Sequence, residues 1–235
     1  MSTQENAPPR GLQIAIDGPA ASGKGTVARA VAAALGYTYV DTGTLYRAVA
    51  FQAARAGIDL EDEVALSRLA AELPVRLHWD GVRLAVLLDE QDVSSAIRAE
   101  SVGQGASKVA TLPGVRQALL DLQQRLGQAG GVVMDGRDIG SVVMPDAELK
   151  IYLDASLEER AQRRLLELQR RGIEATFEQL CREVAARDAQ DSGRAVAPLR
   201  VLPDSWRLDT TGMNPEQVLQ AVLEEARTRG AQELV

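Results

Sequence analysis

The sequence predicts an α/β protein built on a parallel sheet. Short apolar runs alternate with amphipathic helical stretches, a glycine-rich turn joins the first run to the first helix, and two later apolar runs end on acidic residues. Leu12 to Asp17 has the length and apolarity of a buried strand, and Gly18 to Gly25 forms the turn. Thr26 to Leu35 follows as a helix with Val27, Ala30, Val31 and Ala34 on one face, stopped by Gly36. Tyr37 to Val40 reads as a second strand, and Thr44 to Ala56 as a helix ended by Gly57.

The next block breaks this rhythm. Leu73 to Trp79 and Val82 to Leu88 are strand-like runs joined by Asp80-Gly81, a strong hairpin signal. Because a hairpin interrupts the alternation, it reads as part of an insertion. Helical patterns return over 94–129, broken at Leu112-Pro113-Gly114. Gly131 to Asp135 and Leu149 to Asp154 are further short strands. Ser156 to Arg171 and Thr176 to Asp188 are helices, each opened by a capping-box pattern, Ser156 with Glu159 and Thr176 with Gln179. Trp206 to Asp209 reads as a last strand, and Asn214 to Arg227 as a last helix. There is no internal repeat and no low-complexity tract.

The 235 residues, 46% of them hydrophobic, suffice for one domain with insertions. A net charge of -7 and 3% aromatic content argue against a nucleic-acid backbone as partner. Small phosphorylated ligands stay open, because a local arginine cluster can bind them inside an acidic protein. The single cysteine, Cys181, excludes an internal disulfide and suits a reducing, cytoplasmic setting. No run approaches the roughly 20 apolar residues of a membrane helix. Residues 1–10, polar with Pro8-Pro9, read as a disordered leader rather than a signal peptide.

The turn carries the chemistry. Gly18-Pro19-Ala20-Ala21-Ser22-Gly23-Lys24-Gly25-Thr26 matches the P-loop spacing, with a strand before it and a helix after. Glycines allow the sharp turn that points N–H groups inward, and the helix N-terminus adds a favourable dipole for phosphate. Lys24 is placed to reach the terminal phosphates. Gly25 stands where Ser or Thr is usual, so direct hydroxyl coordination of Mg²⁺ is not assigned, nor is any other side-chain metal ligand. The Gly-Lys-Gly-Thr form is typical of nucleoside monophosphate kinases.

From about residue 12 to 228 the chain resembles the bacterial cytidylate kinases. The match is carried by Ile16-Asp17-Gly18-Pro19 with Gly23-Lys24-Gly25-Thr26, Asp41-Thr42-Gly43-Thr44-Leu45-Tyr46-Arg47, Asp135-Gly136-Arg137-Asp138-Ile139-Gly140, Arg187-Asp188, and Arg194-Ala195-Val196-Ala197-Pro198-Leu199. The resemblance implies a P-loop NTPase fold, three-layer α/β/α, with a lid and an enlarged NMP-binding insertion containing the hairpin. It divides the chain into a core (about 11–40, 131–155 and 195–235), an NMP-binding domain (about 41–130) and a lid (about 156–194). It implies a monomeric enzyme that moves the γ-phosphoryl group of ATP, with Mg²⁺, onto CMP or dCMP in pyrimidine nucleotide metabolism.

The resemblance also distributes roles. Thr42, Arg47, Arg137 and Arg194 fall on the monophosphate side, Ser107, Arg116 and Asp138 at the base, and Arg187 and Asp191 near the sugar hydroxyls. Residue chemistry agrees for the arginines, whose planar fork binds phosphate oxygens in pairs. A carboxylate at Asp138 would accept from the cytosine amino group and face a carbonyl oxygen in uracil. The plainer alternatives are an Asp138 pair with Arg137 or a helix end, and a helix pair between Glu183 and Arg187. Asp191 is expected in a glycine-containing loop, and Gly172 with 189–193 as hinges of the lid.

On the 156–171 helix, Leu157, Ala161, Leu165 and Leu168 make an apolar stripe, and Arg160, Arg163 and Arg164 a basic one. Glu159 lies four before Arg163, but no acid lies three or four residues from Arg160. Arg160 and Arg164 are therefore the expected lid contacts to the triphosphate. Asp41 and Asp135, at strand ends, are candidates for the water shell of Mg²⁺. Phosphoryl transfer asks mainly for positioning and charge neutralisation, so the lone His78 needs no catalytic part. The competing readings are another small-molecule kinase on this scaffold, of UMP/CMP or shikimate type, and a nucleotide-binding regulator without turnover. A GTPase would need Asn-Lys-x-Asp, and asparagine occurs only as Asn6 and Asn214.

Overall fold

The computed structural model describes residues 11–234, so the expected leader lies outside the described residues. In chain order it runs β1 (Gln13–Asp17), α1 (Lys24–Leu35), β2 (Thr38–Asp41), α2 (Thr42–Ala56), α3 (Glu63–Ala71), β3 (Val75–Trp79), β4 (Leu84–Leu88), β5 (Gln91–Asp92), a 3-10 turn (Ala96–Arg98), α4 (Glu100–Val109) and α5 (Pro113–Gln128). It continues with β6 (Val132–Gly136), a π-turn (Ile139–Val143), β7 (Leu149–Asp154), α6 (Leu157–Arg170), α7 (Phe177–Ser192), β8 (Trp206–Asp209) and α8 (Pro215–Thr228).

Five parallel strands form the main sheet in the order β2-β6-β1-β7-β8. Strand alternation sends Ile14 and Ile16 into one apolar cluster and Ala15 into another. On the first face lie α1 and α8, through Val27, Val31, Val218 and Val222. On the second lie the π-turn, through Ile139 and Val143, and α5, through Leu120 and Leu126. The result is the expected three-layer α/β/α arrangement.

The hairpin is as expected, with Asp80 Oδ1 accepting from the N–H groups of Val82 and Arg83 at 2.8 and 2.7 Å. It belongs to a three-stranded antiparallel sheet, β3-β4-β5, that shares its own apolar cluster with α2, α3, α4 and α5. A small fourth cluster, Ala161, Leu168 and Leu180, joins α6 to α7. Among the described residues no helix is long and apolar enough to cross a membrane.

Several elements depart from the expectations: α1 begins at Lys24 rather than Thr26, β5 and the π-turn were not foreseen, and three further helices differ. Helix α3 was not foreseen; it is only nine residues long, exposes Val64, and is started by Asp62 accepting from Ala65 N–H at 2.9 Å. Helix α2 begins at Thr42, because Asp41 caps it by accepting from Thr44 N–H at 3.2 Å. Helix α7 runs through 189–192 to Ser192, so the expected loop and hinge there are helix, and Asp191 sits in the last turn. No glycine or proline interrupts this stretch before Gly193. The two expected capping boxes are half made: Ser156 and Thr176 accept from the backbone, but Glu159 and Gln179 turn to Arg163 and Glu183. The complete box is Asn214 with Gln217.

Buried Asp17, at the end of β1, accepts from the N–H groups of Ile139 and Gly140, both at 2.8 Å. This pins the chain that leaves β6 over the end of β1. Burial pushes the Asp17 carboxyl up from 3.8 to about 6, against the pull of those two donors. A carboxyl raised on folding contributes stability below its unfolded value and loses it as pH rises through the folded one. Relative to Asp17→Asn, the wild-type melting midpoint should therefore fall between about pH 4 and pH 6 and then level. Thermal unfolding of both proteins from acid to neutral pH checks this; a constant difference would contradict it.

Candidate active site

The site gathers at the C-terminal ends of the parallel strands, where open α/β sheets bind ligands. From β1 the chain enters the P-loop. A Cβ on Gly18 would lie 2.1 Å from Leu153 O, so only glycine lets the loop pass β7. Gly23 holds φ +89 and turns the loop into α1. Buried Lys24 folds back to donate to Pro19 O at 3.0 Å. Burial and the nearby Arg137 bring its ammonium down to about 7, against the pull of Asp135. The Ser22 hydroxyl is buried without a partner, and Thr26 is exposed.

β6 brings Asp135 and Gly136, with Arg137 and Asp138 just beyond its end, and Asp41 ends β2 where Thr42 starts α2. Tyr39 Oη donates to Asp135 Oδ1 at 2.9 Å, and Thr42 Oγ1 donates to Asp135 O at 2.9 Å. Burial, reinforced by Asp41, raises the Asp135 carboxyl to about 7. Gly25 packs against this pair: a Cβ there would stand 3.3 Å from Tyr39 Oη and 3.7 Å from Asp135 Oδ2. The space a P-loop Ser or Thr would need is thus filled by a tyrosine.

All nine expected acceptor-side residues line one pocket: Thr42, Arg47, Ser107, Arg116, Arg137, Asp138, Arg187, Asp191 and Arg194. Asp191, 1% exposed, is its hub. It accepts from Arg137 Nε at 2.6 Å and from Arg194 Nη2. Burial alone would raise its carboxyl, but Arg137 and Arg194 together hold it below the usual range. Asp138 pairs with Arg116 at 2.5 Å, rather than with Arg137 or a helix end. The Arg116 guanidinium also lies 5.6 Å over the Tyr46 ring, a contact the sequence did not suggest. Arg47 donates to Ile97 O at 3.0 Å, and Ser107 accepts from Gln190 Nε2 at 3.3 Å.

Arg187 shows no pair with Glu183, which accepts from Gln179 instead. Its guanidinium is drawn down to about 10, first by burial and then by Arg137. The Nε atoms of Arg187, Arg194 and Arg116 are buried without acceptors. Such donors are costly unless an oxygen-rich ligand meets them.

The arginines of α6 divide in a way their spacing did not reveal. Arg160 does not stand free: it is buried and pairs with Asp188 of α7 at 2.5 Å. Arg164 is also paired, to Glu100 at 2.6 Å and Glu167 at 2.7 Å, at an outer mouth shared with Arg47 and Arg171. Arg163 keeps its bond to Glu159 at 3.1 Å, yet its Nη1 also donates to Ser22 O in the P-loop at 3.0 Å. An i−4 acid therefore gave no warning of a residue that touches the phosphate cradle.

A P-loop lysine facing an arginine-lined pocket across a few side chains defines a phosphotransferase of the P-loop kinase class. The cytidylate kinase family model matches residues 14–228, and the chain belongs to that family. A cytidylate kinase of Chromobacterium violaceum is 54% identical over 211 residues, 90% of this chain and 93% of the relative. One of Streptococcus suis is 50% identical over 220 residues, covering 93% and 97%, and one of Stutzerimonas stutzeri is 50% identical over 218, covering 92% and 95%.

Crowded guanidiniums predict a specific response to anions. Sulfate should raise the melting midpoint of the wild type more than that of Arg187→Met, and without sulfate the variant should be at least as stable. A thermal-shift titration checks both; equal shifts would remove Arg187 from anion binding.

Proposed function

We propose that this chain transfers the γ-phosphoryl group of ATP to CMP or dCMP, releasing ADP and CDP or dCDP, within pyrimidine nucleotide metabolism. The observation that carries the reading is the pocket in which Arg187, Arg194 and Arg116 keep buried N–H groups unmet, with Lys24 close enough to feel the charges of its Arg137, Asp135 and Arg187.

Each side of the cleft has its part. P-loop N–H groups between Ala21 and Gly25 and the α1 N-terminus cradle the ATP phosphates, with Lys24 at the terminal ones. Arg47, Arg137 and Arg194, with the Thr42 hydroxyl, receive the CMP phosphate. Arg187 and Asp191 face the sugar. Arg160 and Arg164 neutralise triphosphate oxygens from the lid, Arg164 leaving Glu100 to do so. A CMP phosphate oxygen, ionised near neutral pH, attacks the γ-phosphorus in line as the bond to the bridging oxygen of ADP breaks. No general base is needed, and the arginines stabilise charge on the moving group.

The base site is built on the Asp138–Arg116 pair. Arg116 takes one carboxylate oxygen and leaves the other to accept from the cytosine amino group, with the guanidinium and Ser107 beside it as donors. Uracil would set a carbonyl oxygen against that carboxylate. An unpaired buried polar group costs about 1–3 kcal/mol, or roughly 5- to 150-fold in preference.

Asp41 and Asp135 are hard oxygen donors beside the P-loop and suit the water shell of Mg²⁺, which supplies further neutralisation of the phosphates when bound. Gly25 brings no hydroxyl for direct ligation, and among the described residues no group of three or more His, Cys, Asp or Glu forms a metal site. The separate apolar clusters of the sheet, of the hairpin with α2 to α5, and of the α6–α7 pair favour a division into core, NMP-binding insertion and lid, although Leu77, Trp79 and Leu84 of the insertion pack with the core. Both substrate sites fall between elements of one chain, which suits a monomer, and the single Cys181 suits a cytoplasmic setting.

An ADP-release assay with ATP and Mg²⁺, offering CMP, dCMP, UMP, AMP and shikimate in turn, tests the reading. Turnover of roughly 1–100 s⁻¹ with CMP or dCMP, and far less with the others, is expected. Asp138→Ala should weaken CMP use and narrow the CMP/UMP gap. An unchanged ratio would remove Asp138 from base recognition, and no turnover with any acceptor would sink the enzyme reading.

A further inference from the structure

Asp188 stands next to Arg187 on α7 but takes no part in the acceptor pocket. It turns the other way, toward the P-loop. Its Oδ1 accepts from Ala20 N–H at 3.1 Å, and its Oδ2 accepts from Arg160 Nη1 at 2.5 Å. Arg160 Nη1 donates as well to Ala20 O at 3.0 Å, and Arg160 Nε to Ala155 O at 2.9 Å. Both polar groups of one P-loop residue are thus held by an ion pair that spans α6 and α7.

We propose that Asp188 is a positioning residue that fixes the Arg160 guanidinium against the P-loop and so presents it to the ATP phosphates. The inference rests on the donor side of the function above and adds a residue to it.

The chemistry of the guanidinium supports the assignment. Arg160 has five donors in a rigid planar fork, and fixing two of its nitrogens fixes the third. Nε and Nη1 are held to Ala155 O, Ala20 O and Asp188, which leaves Nη2 outside these bonds. The side chain is 8% exposed, so its orientation is set by these partners and not by solvent. A cation placed in advance costs no reorganisation when charge builds up, which is where catalytic electrostatics gain most. Asp188 also ties the lid to the loop: it lies three residues before Asp191, the hub of the acceptor pocket, on the same helix. One rigid turn of α7 therefore touches both substrate sites.

The test is a double-mutant cycle on the full chain, using Asp188→Asn, Arg160→Lys and the pair. Asn keeps an acceptor for Ala20 N–H and removes the charge facing Arg160. Two quantities are read: affinity for a non-hydrolysable ATP analogue by calorimetry, and kcat and KM with CMP. Asp188→Asn should weaken analogue binding about 3- to 30-fold and lower kcat about 10- to 100-fold, with the KM for CMP within about twofold of wild type. Added to Arg160→Lys, it should cost less than about twofold more. A purely structural Asp188 would lower the melting midpoint and leave analogue affinity and kcat near wild type, which would overturn the proposal. So would losses that multiply independently in the double variant, or a loss confined to the KM for CMP. If Asp188→Asn unfolds at the assay temperature, Asp188→Glu serves, since it displaces the guanidinium while keeping the charge; unchanged analogue affinity there would also overturn it. Wild-type protein that fails to phosphorylate CMP would defeat the assigned substrate, while the analogue-binding cycle would still decide the role of Asp188.

Discussion

The site depends on how positive charge is held half-buried before any substrate arrives. Five arginines, Arg47, Arg116, Arg137, Arg187 and Arg194, line a single pocket. Left alone they would repel one another and forfeit their hydration. Asp191 and Asp138 prevent this by unequal means. Asp191 binds two guanidiniums and sets their planes, while Asp138 binds only Arg116. Arg187 is paired with neither, and burial and the neighbouring Arg137 lower its guanidinium. The pocket is compensated enough to fold and under-compensated enough to favour a dianion. That balance is the electrostatic form of a binding site: part of the ligand's interaction energy is stored as unmet donors.

The parallel sheet makes such a pocket possible by delivering its parts from different strands at one edge. Asp17 closes β1 and immediately holds the backbone after β6, so Arg137 and Asp138 leave the sheet in a fixed direction. Thr42 ties the start of α2 to Asp135 O, which brings Arg47 on the same helix into range. The hairpin insertion reaches the core as well: the Trp79 ring meets Tyr39 edge-on at a centroid distance of 5.4 Å, and Tyr39 in turn supports Asp135. The insertion and the phosphate side of the cleft are therefore mechanically joined through one phenol.

What could be read in the sequence, and what could not, follows from the range of each interaction. The P-loop was legible because its chemistry is local: Gly18, Gly23 and Lys24 lie within one turn, and the conformations they demand are properties of the residues themselves. The strands of the main sheet were legible for the same reason, as was the hairpin at Asp80-Gly81, but not the short β5, which has only two residues, both exposed. The nine residues expected on the acceptor side were named through the resemblance, and folding brings them to one pocket. The arginines of α6 were read from spacing along their own helix, and there the method fails. It sees Glu159 four residues before Arg163 and concludes that Arg163 is occupied, yet a guanidinium has donors enough for Glu159, Ser22 O and Thr210 together. It sees no acid near Arg160 and concludes that Arg160 is free, yet Asp188 arrives from 28 residues away. Asp191 was expected in a loop because Gly193 is close, but a glycine that ends a helix leaves the turn before it helical.

The same reasoning explains why α6 and α7 pack together as they do. Their shared apolar cluster is small, Ala161, Leu168 and Leu180 with a few partly buried neighbours, so hydrophobic burial alone gives the pair modest stability. Their hold on the P-loop is polar: Arg160 to Ala20 O, Asp188 to Ala20 N–H, Arg163 to Ser22 O, and beyond them Arg164 to Glu100. Arg160 is buried, so these bonds hold unless another negative oxygen takes their place. An apolar interface of equal extent would resist separation and would be indifferent to phosphate. For the lid proposed above, bonds that a phosphate oxygen can replace suit a segment that admits ATP, excludes water during transfer and then releases ADP. The small core of the α6–α7 pair and its charged underside are thus two sides of the same requirement.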